Sequence, residues 1–302
     1  MLAGCKLRRM SFPAPPIPQF PDDQVAITEN LLRYEDCTQD GRLIPIAIPP
    51  SLGGLWQSVV RHHPGARNAV AAGIVPILTR LTLSSEDQPI RVDRPVEGRA
   101  GFVLAHDREG DEITRLYMNV WSEVRGTSGR LGPRPSEGSR VLAGRLFAEH
   151  VFTRLFAPPD QRKITRLDVA GYPAIPELHY PAPAPQTAQE APDGARWLDE
   201  LASDATEIVF GLDQTDANQH VNSLVYIRTF LDAAQRRLHA RGHALNVRSR
   251  AVDIAYRKPC FAGDRVRTQL RLFALDGQVG AAGYIEGPDG KPRCYARVVF
   301  GP

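Results

Sequence analysis

Residues 212–226 read LDQTDANQHVNSLVY. Asp216, Asn218 and His220 alternate with Ala217 and Gln219, so in an extended loop three polar side chains of different kinds leave one side of the backbone together. Just downstream the period changes. Leu224, Val225, Ile227, Phe230, Leu231, Ala234 and Leu238 recur at spacings of three and four, with Arg228, Arg236, Arg237 and Arg241 largely opposite, which predicts a helix over 222–240. Asn222 or Ser223 can cap it.

The run Asp216-x-Asn218-x-His220-Val221-Asn222, followed four residues on by Tyr226, resembles the active-site loop of hotdog-fold thioesterases. Within that superfamily it is most similar to the double-hotdog acyl-acyl carrier protein thioesterases, whose second repeat carries this run. The resemblance is specific over residues 212–226 and weaker elsewhere. It implies an Asp, Asn and His set around an acyl thioester carbonyl. A second segment, Tyr256-Arg257-Lys258-Pro259-Cys260, resembles the Tyr-Arg-Arg-Glu-Cys segment of the same family and would place Cys260 on its cysteine. Here Pro259 stands at the family's glutamate and can do no acid or base work.

Outward from the helix, strands are expected at Glu207 to Leu212, 245–257, 264–275, 277–286 and 292–300, with Asp276-Gly277 and Asp289-Gly290 suited to tight hairpin turns. The first half repeats this order. Pro49-Pro50-Ser51 opens a short helix with Leu55, Trp56, Val59 and Val60 as its apolar stripe, ending near His63-Pro64-Gly65. Strands follow at Ile74 to Leu83, Arg99 to His106, Thr114 to Arg125 and Val141 to Phe156. Residues 24–48 suggest a strand or hairpin around Gln39-Asp40-Gly41.

Two copies of strand, helix and four strands predict an α+β tandem (double) hotdog, each half a curved antiparallel sheet wrapped around a helix. A second copy can pair with the edge strand that one copy leaves open. The expected organisation is a disordered Pro-rich arm (1–21), a first repeat without a catalytic motif (22–156), a Pro/Ala-rich linker (157–196) and a second repeat carrying the active-site loop (197–302). Where the second half has Asp216, Asn218 and His220, the first has Ile48, Pro49, Pro50, Ser51 and Gly53, none of which titrates near neutrality. One active site per chain follows, with the first half as its opposite wall.

Composition narrows the function classes. The 302 residues are 42% hydrophobic, enough for a packed core. A formal net charge of +3 is too mild to argue for nucleic acid. Cys5, Cys37, Cys260 and Cys294 form no CxxC pair, so no zinc site or disulfide framework is indicated, no metal or cofactor is expected, and a reducing cytoplasm is the default. No apolar run approaches the roughly 20 residues that cross a bilayer. Leu2-Ala3-Gly4-Cys5 has the form of a lipoprotein box without the regions that precede one, and Met10 is an alternative start.

Thioester hydrolysis needs a group that activates water or attacks the carbonyl, and groups that hold charge on its oxygen. Asp216 is the candidate general base or nucleophile, its pKa expected to rise in a partly apolar tunnel. Asn218 and His220 are candidates for positioning carbonyl and water. The alternatives are an Asx turn for Asp216 and a loop-closing backbone hydrogen bond for His220. Asn222 reads as a cap, Tyr226 and Phe230 as core or tunnel lining, and Cys260 as a packed thiol more than a nucleophile. Arg228, Arg257 and Lys258 are candidates for phosphopantetheine or carrier contact.

His63-Pro64-Gly65 is similar to the His-x-Pro-Gly of hotdog dehydratases but follows its helix instead of preceding it. His106, Asp107, Glu109 and Asp111 read as a solvated hairpin tip. The expected partner is an acyl carrier protein or acyl-coenzyme A substrate. The chain is expected as a monomeric pseudo-dimer or a homodimer. Two rival functions keep the same ligand: a dehydratase, cyclase or acyl transferase, and a non-catalytic acyl-thioester-binding protein.

Overall fold

Long period-two runs build the sheet. In β11 (Arg265–Leu275) exposed Arg265 and Arg267 alternate with buried Val266, Thr268, Leu270 and Leu272, so one face packs on the core. The computed structural model describes residues 14–131 and 138–301. Its first half holds β1 (Val25–Asn30), β2 (Ile74–Ser85), β3 (Val96–Glu109), β4 (Glu112–Thr127) and β5 (Arg140–Arg154). The middle holds two-residue strands β6 (Leu178–His179), β7 (Arg196–Trp197), β8 (Ala202–Ser203) and β9 (Ile208–Val209). The second half adds β10 (Arg248–Tyr256), β11, β12 (Gln278–Glu286) and β13 (Pro292–Gly301).

The order within the first half is β1-β3-β4-β5-β2, and the second repeats it as β9-β11-β12-β13-β10. The halves meet where β2 pairs antiparallel with β10, Ala251 opposite Ser84 through Ala255 opposite Arg80. One continuous sheet results, the tandem hotdog expected from the repeat. The Asp276-Gly277 turn joins β11 to β12 with both residues at positive φ (47° and 76°), as a two-residue hairpin requires.

Each half wraps helical structure, and the two differ for a reason visible in the chain. α2 (Ser223–Ala240) contains no Gly or Pro, and it buries Tyr226, Ile227, Phe230, Ala233, Ala234 and Leu238 against the sheet. In the first half Pro49, Pro50, Gly53, Gly54 and Pro64 break the helix into pieces. A 3-10 turn (Pro49–Leu52) and a π-helix (Leu55–Val60) come first, then α1 (Pro64–Ala71). His63-Pro64-Gly65 therefore starts a helix where the sequence suggested an end: His63 caps α1, its Nδ1 accepting from Gly65 N at 3.1 Å. Gly54 permits the close approach of the π-helix to β1, because a Cβ there would collide with Thr28 Oγ1.

Other expectations are corrected. Of the strand or hairpin expected over 24–48, the strand is β1; residues 43–48 do not pair with it, Leu43 making one bridge to Cys37 before a 3-10 piece, with Leu43 and Ile48 buried. The strand expected at Glu207 to Leu212 is only the two residues of β9, followed by a 3-10 turn. His106 is not at a solvated tip: it is 8% exposed inside β3, its Nδ1 2.8 Å from Pro176 O. Of the expected arm and lipoprotein box, residues 1–13 lie outside the described residues. Residues 14–21 lie against the sheet, Pro15 O accepting from Trp121 Nε1 at 3.1 Å and Phe20 packing on Trp121.

The Pro-rich stretch after β5 crosses the outer face of the sheet. β6 lies parallel beside β3, and β7 pairs with β11 at the other side. Between them Tyr180 joins Tyr117, Trp121 and Phe147 in an aromatic cluster, and a 3-10 turn (Pro185–Gln189) packs on β10, β12 and β13. A buried ionic group anchors it. Asp253 (fully buried) accepts from Arg80 Nε and Nη2 at 2.8 and 2.6 Å and from Arg297 Nε at 3.2 Å. The same arginines reach the crossing segment at Thr187 Oγ1 and Glu190 O. Beside them Glu149 accepts from Thr79 Oγ1 (2.6 Å) and Tyr180 OH (2.8 Å).

Candidate functional site

The 212–226 stretch folds as a tight turn, where alternation suggested an extended loop. Thr215 bridges to Val221, Asp216 N donates to His220 O, and Gln219 N donates to Asp216 O with Gln219 at φ 65°. Asp216 is half-buried at the head of this turn. Its Oδ1 accepts from Asn218 N at 2.9 Å, an Asx turn, and its Oδ2 accepts from Asn222 Nδ2 at 3.1 Å. Asn222 is also the N-cap of α2, its Oδ1 accepting from Leu224 N at 2.9 Å. One amide thus fixes the carboxylate to a helix N-terminus.

Of the other residues expected here, the Asn218 side chain is exposed, and His220 Nδ1 faces Val221 O at 3.2 Å. Neither side chain hydrogen-bonds Asp216 among the described residues. Val221 N donates to Cys260 O at 2.8 Å, and Tyr226 OH accepts from Cys260 N at 2.7 Å, so the turn rests on the Cys260 segment. Burial pushes the Cys260 thiol and the Tyr226 phenol up, away from their ionised forms. Cys260 is fully buried, a packed thiol.

Among the basic residues of the second half, Arg236 pairs with Asp204, Arg237 and Arg241 with Asp199, and Arg248 and Arg250 with Asp87. Lys258 sits 3.5 Å from Asp289. Arg228 and Arg257 are exposed and form no ion pair within 4.0 Å among the described residues. Among the described residues there is no cluster of metal-ligating side chains and no helix long and apolar enough to cross a membrane.

A cavity of about 310 Å³ opens at the N-terminus of α2; Asp216, Asn218, His220 and Asn222 are not among its lining residues. Ser223 and Leu224, the first residues of α2, form one side; Pro49, Pro50, Leu52, Gly53 and Trp56 of the first half form the other. Leu78, Leu81, Ala148 and His150 of β2 and β5 complete it. His150 was missed in the sequence. Burial pushes its pKa down to about 4, the Met118 and Ala148 carbonyls opposing, so the imidazole is neutral at pH 7. The signal was available: His150 shares the inward parity of Leu146, Ala148 and Phe152.

No family model and no curated protein matches the chain. Solved structures do match over its length. An acyl-ACP thioesterase from Bacteroides thetaiotaomicron aligns at TM-score 0.60 and 14% identity, covering 92% of this chain and 98% of that one. A protein assigned as an oleoyl thioesterase from Lactobacillus plantarum aligns at 0.60 and 16%, covering 93% and 97%. The 12:0-ACP thioesterase from Umbellularia californica aligns at 0.57 and 14%, covering 92% and 97%. At such identities the likeness is one of fold, and it extends through both halves and the segment between them: the chain has the double-hotdog fold found in acyl-ACP thioesterases.

Proposed function

We propose that the protein hydrolyses an acyl thioester carried by an acyl carrier protein or coenzyme A, at one site per chain headed by Asp216. The observation that carries this reading is the Asp216 carboxylate tied by Asn222 to the N-terminus of α2, the helix whose first residues, Ser223 and Leu224, line a largely apolar cavity. The acyl chain enters the cavity and leaves its carbonyl near the turn. Asp216 takes a proton from water as the water oxygen bonds to the carbonyl carbon. The positive end of α2 favours the charge gathering on the carbonyl oxygen, with Asn218 and His220 as further donors. When the carbon–sulfur bond breaks, the thiolate recovers that proton. Arg228, Arg257 and Lys258 serve the phosphates of the carrier arm. With Pro259 in place of an acid, Asp216 is the single carboxylate of this scheme.

A second reading, acyl-thioester binding without hydrolysis, is favoured by one observation: neither Asn218 nor His220 hydrogen-bonds Asp216 through its side chain. Thiol release over a panel of acyl-coenzyme A and acyl-carrier-protein substrates separates the two. Asp216→Asn keeps an oxygen for the Asx turn, so it should fold normally and lose turnover by a hundredfold or more, the scale of one general base (about 10²–10⁴). Full activity in that variant removes Asp216 from the mechanism, and binding without release by the wild type selects the second reading.

A further inference from the structure

The side chains on the cavity wall that carry a polar group are His150, Ser223 and the Trp56 indole. His150 is 6% exposed, and its Nδ1 is sealed in the protein with no hydrogen-bond partner. The carbonyls of Met118 and Ala148 are the ring's polar neighbours in the protein, and no side chain hydrogen-bonds its Nε2 among the described residues. The contrast is His106, equally buried, whose Nδ1 meets Pro176 O at 2.8 Å. The His150 ring is held edge-on to Trp56, centroids 5.2 Å apart, and both rings line the cavity. Ser223, also on the wall, has a hydroxyl without a hydrogen bond among the described residues.

A neutral imidazole offers one donor and one acceptor. Nδ1 is out of a ligand's reach, and a plain hydrocarbon chain filling this space would offer the other nitrogen no partner, which native interiors avoid. A ligand that fills the space displaces water from it, and walls that are mostly Pro, Leu and Ala offer few partners to a water left behind. A charged ligand group would enter an apolar space opposite an uncharged ring. A hydroxyl fits either tautomer of His150, since it both donates and accepts.

We infer that the ligand of this cavity is a hydroxyacyl thioester, its chain hydroxyl hydrogen-bonded to His150. The inference rests on the acyl-thioester reading of the site and names the substrate class within it. His150 is then a specificity residue: a site built around a hydroxyl discriminates against the analogue that lacks it.

The test is calorimetric binding of non-hydrolysable thioether analogues of coenzyme A, matched in chain length, with no hydroxyl or with one at successive positions from carbon 3 outward. The same panel as thioesters is assayed for kcat/KM. Wild type should bind one hydroxylated analogue roughly tenfold or more tightly than the plain one. His150→Leu should bring the two within twofold, by weakening the hydroxylated ligand and strengthening the plain one. Equal affinities in the wild type overturn the inference, with no variant needed; so does a preference that survives His150→Leu. Selective binding with no turnover of any thioester upholds the His150 site and sinks only the hydrolytic reading.

Discussion

Asn222 does two things through one amide: its oxygen caps α2 and its nitrogen holds Asp216. The two can be separated. Asn222→Ser keeps an N-cap oxygen, so thermal stability should fall by no more than about 0.5 kcal/mol. It loses the donor to Asp216, a hydrogen bond to a charged group, and turnover should drop about ten- to a hundredfold. Asn222→Ala loses both, with about 1 kcal/mol of stability. A Ser variant as active as wild type, measured beside its melting curve, would reduce Asn222 to a cap. The candidate residues of this turn stand out in the chain because Asp, Asn and His at alternate positions before a capped helix are distinctive. Their geometry was not legible: a positive φ at Gln219, a residue with no special licence for it, closes the turn and sets the side chains on different courses. His150 was hidden in the opposite way, a titratable residue inside an apolar strand, readable only through its parity.

At the scale of elements, strands were the easiest to read, since period-two alternation and an Asp-Gly turn fix them locally. The first-half helix and the crossing segment were harder, because what orders them lies far away in sequence: Thr28 against Gly54, Glu149 against Tyr180. That second contact carries a pH signature. Burial holds the Glu149 carboxyl above its ordinary range, against the pull of Thr79, Tyr180 and Arg80 and with Asp253 adding to the rise. The folded protein keeps this proton to higher pH than the unfolded chain, whose glutamates titrate near pH 4.3. Its contribution is therefore complete below about pH 4 and is lost as pH rises through the native value. Glu149→Gln removes the titration, so its melting temperature should gain on wild type between about pH 4 and pH 8. Parallel profiles across that range would show that Glu149 does not titrate between the folded and unfolded states.

For the whole molecule the decisive feature is the joint between β2 and β10, where Asp253 gathers Arg80 from one half and Arg297 from the other. Both arginines are at least nine-tenths buried. Asp253→Ala leaves Arg80 there without its carboxylate and should cost about 3–5 kcal/mol, read as a lower midpoint in urea unfolding. A loss under 1 kcal/mol would mean that water reaches the cluster. That the halves join at all was legible, because a hotdog copy with an open edge calls for a second; which groups lock the joint was not, since Arg80 and Asp253 stand 173 residues apart.

The joint also bears on inheritance. In an assembly of two identical chains one codon writes both walls, so any change is made twice and one wall is never altered alone. Here Asp216 and His150 are each written once, on opposite sides of the seam. Selection can redraw the wall that holds His150 while leaving the turn that holds Asp216 untouched, and the reverse.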